Sequence, residues 1–109
     1  MPMKECFYES YEACFRSLTK MGKDPEDVTF SLDHEKQHFE KAVQLGYAPK
    51  YGVRMVLDFP PIIEHYFIGF EDKEPSGQDM IDIFLAPDEP GKNDVEMAEK
   101  IRKELAGKS

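Results

Sequence analysis

The sequence lacks tryptophan, has only two cysteines and three histidines, and contains no long hydrophobic run. No apolar segment approaches the ~20 residues that a membrane-spanning helix requires, so we expect no membrane association through such a helix. The first residues, MPMK, lead into a mixed polar and aromatic stretch rather than the apolar region of a signal peptide. We therefore expect a cytoplasmic protein.

Basic residues are also few. The chain has 14 lysines and arginines against 22 aspartates and glutamates, and its formal net charge is −8. Nucleic-acid binding needs a basic surface, so this composition disfavours a nucleic-acid partner and attraction to an anionic membrane. The acidity favours a soluble protein, with an acidic docking surface for a basic protein partner as the narrower interpretation.

Two further kinds of site are not supported by the sequence. Cys6 and Cys14 are eight residues apart, and on one helix they would lie ~12 Å apart along its axis, too far for a disulfide. We therefore expect two free thiols. The seven glycines are scattered and form no phosphate-binding loop, and no serine has the surroundings of a nucleophile elbow.

The length of 109 residues and the 40% hydrophobic content predict one folded domain over residues 1–109. Apolar residues at three- and four-residue steps predict helices, and alternating ones predict strands. Helices are predicted from about Lys4 to Met21, from Asp24 or Ser31 to about Leu45, and from Asn93 onward; strands are predicted over 51–58, 62–70 and 79–86.

The predicted order is thus α-α-β-β-β-α. Sequential strands with short connections favour an antiparallel arrangement. We therefore predict an α+β fold in which a three-stranded antiparallel sheet packs against helices.

One stretch carries a candidate site. His34-Glu35-Lys36-Gln37-His38 has the pattern H-E-x-x-H, and on a helix its two imidazoles lie one turn apart on the same face. A zinc hydrolase needs three protein ligands and one open position for water, with a carboxylate nearby to accept a proton. The pattern predicts His34 and His38 as metal ligands and Glu35 as the general base.

In this pattern the chain resembles the zincin metallopeptidases. The resemblance covers five of the 109 residues. It implies a zinc cofactor and hydrolytic chemistry at His34, Glu35 and His38. The third histidine that metzincins carry further along the motif helix is absent from this chain.

The position of Glu35 on the predicted helix adds an independent observation. At ~100° per residue, Glu35 falls about 40° from Phe39, within the apolar face of the helix. A carboxylate on an apolar face is costly unless it is paired. We therefore expect a basic side chain, a tyrosine hydroxyl or a metal-bound water to meet Glu35.

The third metal ligand is expected from the second strand, where Glu64 and His65 are adjacent. Neighbouring residues of a strand point to opposite faces, so only one of the two can face the helices. If Glu64 pairs with Arg54 on the outer face, His65 points inward. The sequence therefore slightly favours His65 over Glu64.

We expect a small metal-binding protein, with zinc-dependent hydrolysis of the HExxH type as its function. The alternative is a non-catalytic acidic interaction domain without a metal site, which binds a protein partner or a second copy of itself. A third hypothesis is a purely structural metal site with no open coordination position.

Overall fold

The computed structural model describes residues 2–70, 73–87 and 89–107. It confirms an α+β fold in which a three-stranded antiparallel sheet, with the strand order β1-β2-β3, packs against helices. The elements, in chain order, are β1 (Met3–Tyr8), α1 (Tyr11–Lys20), α2 (Pro25–Gln44), β2 (Pro49–Val56), β3 (Ile62–Phe70), α3 (Gly77–Phe84) and α4 (Lys92–Gly107).

The N-terminal strand differs from the sequence prediction, which placed residues from Lys4 onward in the first helix. β1 pairs with β2, with Cys6 opposite Val53, and forms an edge of the sheet. Helix α1 begins only after Ser10, whose hydroxyl accepts a hydrogen bond from the backbone N–H of Ala13 at 3.1 Å. Ser10 is thus an N-cap, and the helix starts there because the cap satisfies a free N–H of its first turn.

The two cysteines consequently lie on different elements, Cys6 on β1 and Cys14 on α1. Both are free thiols, as expected, although the separation along one helix that predicted this does not exist. Cys14 has no solvent exposure. Burial, with a smaller contribution from Cys6, raises the pKa of the Cys14 thiol to about 12.

Cys14 is expected to resist alkylation in the folded protein, while the half-buried Cys6 reacts first. The thiolate is the reactive species, and a raised pKa leaves almost none of it at pH 8. Peptide mapping after timed iodoacetamide treatment would measure both sites, and the same reaction in guanidinium chloride, where both should react, is the control. Alkylation of Cys14 at the rate of Cys6 without unfolding would contradict this packing.

Helix α2 carries the H-E-x-x-H pattern in its interior. Asp24 caps the helix by accepting from the N–H of Glu26 at 3.2 Å, and Pro25 occupies the first turn. Asp24 is therefore the start of the helix, rather than Ser31. Gly46 follows the helix with a φ of 91°, a conformation that glycine adopts without strain.

The predicted strand over residues 79–86 is wrong, because this segment forms helix α3. Ser76 caps the helix, accepting from the N–H of Asp79 at 3.3 Å, and Gln78 bonds to Asp82 one turn on. Ile81 and Ile83 are both buried, although residues two apart diverge by ~160° on a helix. Their alternation reflects packing of α3 against both α2 and α4.

The main core lies between α1, α2 and the inner face of the sheet; its buried members are Cys14, Leu18, Val28, Leu32, Tyr51, Val53 and Met55. Helices α3 and α4 pack on each other, and α3 also packs on α2. This arrangement places the first turn of α4 beside the middle of α2. Among the described residues, no helix is both long and apolar enough to cross a membrane.

Candidate metal centre

Three side chains from two helices converge on one point. His34 Nε2 lies 2.9 Å from Asp94 Oδ2, and His38 Nε2 lies 3.3 Å from the same oxygen. The two Nε2 atoms are 3.3 Å apart. His34 and His38 belong to α2, whereas Asp94 belongs to the first turn of α4. We call these three side chains the metal group.

The triangle formed by these atoms has the size that a metal ion requires. Zinc binds imidazole nitrogen and carboxylate oxygen at ~2.0–2.1 Å, so neighbouring ligand atoms of a tetrahedral site are about 3.3 Å apart. The observed sides of 2.9, 3.3 and 3.3 Å match this spacing closely. His34, His38 and Asp94 would hold the ion as three protein ligands of a four-coordinate site.

The ring of His38 is oriented for this role. Its Nδ1 lies 2.7 Å from the backbone carbonyl of Ile83, near the end of α3, and the residue is 4% exposed. Because a carbonyl only accepts, Nδ1 carries the proton and donates it, which leaves Nε2 of the neutral ring with a lone pair toward the metal group. A hydrogen bond of this kind at the far nitrogen is typical of metal-binding histidines.

Asp94 is also held in position. Its Oδ2 accepts a hydrogen bond from the backbone N–H of Gly91 at 3.1 Å, and its side chain is 16% exposed. The His34 ring donates to the same oxygen. The Nε2 proton that His34 donates therefore lies close to both Asp94 Oδ2 and His38 Nε2. A divalent cation can replace that proton.

Glu35 lies next to the metal group without belonging to the triangle. Ligand atoms of His34, Glu35 and His38 all lie within 4.8 Å of one another. Burial, with a smaller contribution from the nearby Asp94 carboxylate, raises the pKa of the Glu35 carboxyl to about 8. In the described part of the chain, no basic side chain or tyrosine hydroxyl bonds to this carboxyl, so two of its three expected partners are absent there.

The structure does not bring Glu64 or His65 into the metal group, and both side chains are exposed. A β-bulge explains the outcome: Arg54 pairs with His65 and Met55 pairs with Ile63, so Glu64 is an extra residue in β3. His65 stacks on Phe67, with ring centroids 5.9 Å apart. The predicted choice of His65 as third ligand assumed regular alternation, which the bulge interrupts.

Asp94 lies beside His34 and His38, where the sequence led us to expect His65 or Glu64 as the third metal ligand. Sequence reasoning missed Asp94 because it lies 60 residues from His34 and follows Asn93, where the sequence predicts only the start of a helix. An acid in the first turn of a helix is common for electrostatic reasons alone. No spacing rule in the sequence connects that turn to the motif on α2.

Two clefts meet at the metal group. The apolar cleft, of about 430 Å³, lies between α2, β3, α3 and α4. The polar cleft, of about 400 Å³, lies between α2, β3 and the start of α4. Both are lined by Glu35 and Asp94, so a molecule in either cleft can reach this site.

Comparison with known proteins adds no relative: no family model matches the chain, and neither a curated protein nor a solved structure is significantly similar to it. The chemistry of the site is therefore argued from its geometry. Two imidazoles and one carboxylate form a ligand set that suits zinc, with a further carboxyl beside it and open space on both sides.

Proposed function

We propose that this protein is a cytoplasmic zinc-dependent hydrolase. The observation that carries the proposal is the convergence of His34 Nε2, His38 Nε2 and Asp94 Oδ2 within 2.9–3.3 Å of one another. Three protein ligands with a fourth position left for water is the arrangement of catalytic zinc sites, whereas structural sites use four protein ligands. This distinction favours catalysis over a purely structural ion.

The residues of the chain have separate roles in this proposal. His34, His38 and Asp94 hold the ion, and the carbonyl of Ile83 and the N–H of Gly91 orient two of them. Bound zinc supplies a Lewis acid that lowers the pKa of water to about 7. The charge of a bound cation would favour the ionised form of Glu35, and this carboxylate accepts a proton of the attacking water and delivers it to the leaving atom. The water oxygen bonds to the substrate carbon as the bond to the leaving oxygen or nitrogen breaks.

Charge gives independent support for a cation. Glu35 and Asp94 place two carboxyl groups in a partly buried space with two imidazoles. The Asp94 carboxylate disfavours the ionisation of Glu35, and a divalent ion would relieve this repulsion. The same ligand types also bind iron, nickel and manganese, so zinc is proposed because of the tetrahedral spacing.

The cytoplasmic assignment rests on the thiols and the acidity. Cys6 and Cys14 are unpaired, as is usual for proteins of a reducing compartment. The net charge of −8 makes a nucleic-acid substrate a poor match for this protein. We therefore propose a small neutral or cationic substrate.

Metal content tests the site directly. We expect about one zinc ion per chain in untagged wild-type protein after incubation with zinc and gel filtration, measured by elemental analysis. His38→Ala should lose nearly all of it, because it removes one of three ligands. His65→Ala is the matched control and should retain the wild-type content. Wild-type protein that binds no added zinc would overturn the proposed function.

A further inference from the structure

The walls of the apolar cleft are made of hydrocarbon and aromatic side chains. They come from β3, α3 and α4, and they include Ile68, Phe70, Met80, Ile83, Phe84 and Met97. The volume of about 430 Å³ lies within the range of small-molecule sites. Such walls stabilise a hydrocarbon group by removing it from water.

The polar side chains that line this cleft include two members of the metal group, together with Glu35, His65 and Asn93. Glu35, His38 and Asp94 line the cleft; His38 Nε2 lies 3.3 Å from Asp94 Oδ2, and a carboxylate oxygen of Glu35 lies within 4.8 Å of the ligand atoms of the two histidines. Its described lining residues include no lysine or arginine. An anionic substituent would therefore find no countercharge along the apolar walls, and an uncharged one is favoured.

The polar cleft has a different character. Ser31, Glu64 and Lys92 line this cleft but not the apolar one. The two clefts share Glu35, His65, Tyr66, Asn93 and Asp94. The metal group thus lies between the apolar cleft and a second cleft that carries more ionisable side chains. A molecule that spans both would place its central bond beside Glu35.

We propose that the substrate is a carboxylic ester or amide whose uncharged hydrocarbon side occupies the apolar cleft and whose polar side occupies the polar cleft. This inference rests on the proposed hydrolase function and specifies its substrate class. In hydrolysis, the water oxygen bonds to the acyl carbon and the ester or amide bond breaks. The water's proton passes through Glu35 to the leaving oxygen or nitrogen.

Straight-chain hydroxamic acids test this inference, because their head binds zinc and their tail varies. We expect their affinity for zinc-loaded protein, measured by calorimetry from two to eight carbons, to rise about fourfold per added methylene. This increment corresponds to ~0.8 kcal/mol for each buried CH₂ group. The rise should stop when the cleft is full. Affinity that does not depend on chain length would overturn the inference.

Substitutions of Met97 test whether the hydrocarbon tail of the hydroxamate binds in the apolar cleft. Met97 lines the cleft but is 41% exposed, so it can be changed without disrupting the core. Met97→Trp should weaken the longest hydroxamates more than tenfold and leave acetohydroxamate unchanged, because it fills space that the tail occupies. Met97→Ala should move the preferred tail to longer chains. Met21→Trp is the matched control, at a half-exposed methionine that lines neither cleft.

A second series separates this inference from the proposed function. Straight-chain alcohols from butanol to octanol carry no strong zinc-binding head, and their binding to EDTA-treated protein is measurable by ligand-observed NMR. We expect the same rise with chain length and the same loss in Met97→Trp. If zinc does not bind but the alcohols behave in this way, the hydrolase proposal fails and the hydrocarbon site stands. If zinc binds but neither series depends on length, only the inference fails.

Discussion

Glu35→Gln is expected to lower the hydrolytic rate of the zinc-loaded protein by about 10²–10⁴-fold, the usual contribution of a positioned general base. Glutamine has nearly the same shape, but its amide cannot accept the proton of the attacking water. Glu35 lies beside the triangle of ligand atoms without forming part of it. Zinc affinity should therefore stay within a few-fold of the wild-type value.

The hydrolytic rate and the zinc affinity of Glu35→Gln are measured with two assays on the same preparation. Release of nitrophenol from 4-nitrophenyl hexanoate gives kcat/KM, and competition with a chromophoric chelator gives zinc affinity. Glu40→Gln is the matched control, because Glu40 is an exposed residue of the same helix with a long 3.8 Å ion pair to Lys36. Undiminished turnover in Glu35→Gln would exclude Glu35 as the base.

The part of the site that could be predicted from the sequence is the part that one helix determines. The spacing of His34 and His38 depends only on helical periodicity, and the helix is fixed by Asp24, Pro25 and Gly46. The sequence placed Glu35 on the same face of the helix as Phe39 and predicted that this face is buried. The structure confirms that Glu35 is poorly solvated. Local chemistry was sufficient for each of these predictions.

The third ligand depends instead on tertiary packing. Asp94 reaches α2 only because α3 is a helix that packs on both α2 and α4. The alternation of Ile81 and Ile83 indicated a strand, and two-residue spacing alone does not distinguish a strand from a short helix buried on two sides. That error also concealed the role of the Ile83 carbonyl, which lies in the last turn of α3. It accepts from the N–H of Ala86 at 3.3 Å and from His38 Nδ1 at 2.7 Å.

The sheet illustrates the same limit. The fold class and the number of strands were predicted correctly. The strand that joins β2 and β3 in the sheet is β1 (Met3–Tyr8), however, and not the predicted strand over residues 79–86. Phe7 continued the spacing of Tyr11 and Cys14 and so extended the predicted helix, although Ser10 could have been recognised as the N-cap. The bulge at Glu64 has no signal in the sequence, since neither glycine nor proline marks it.

Zinc is expected to raise the melting temperature of the wild-type protein by roughly 10–20 °C when its free concentration is 100 times Kd. Binding at this excess stabilises the folded state by about 2.7 kcal/mol. For a domain of ~100 residues, each kcal/mol corresponds to about 4–8 °C. The ion would join α4 to α2 through Asp94 and the two histidines, a connection that now depends on hydrogen bonds.

Asp94→Asn should remove nearly all of this stabilisation. Asparagine keeps an acceptor for the N–H of Gly91 but loses the ligand charge. Even the loss of a hydrogen-bond partner of a ligand costs 10–100-fold in metal affinity, and a change to the ligand itself should cost at least as much. A hundredfold weaker Kd at the same zinc concentration leaves only about 0.4 kcal/mol. Asp82→Asn, on α3, is the control and should keep the full shift. If Asp94→Asn keeps it too while Glu35→Gln loses it, Glu35 is the third ligand, and a different group must serve as the base.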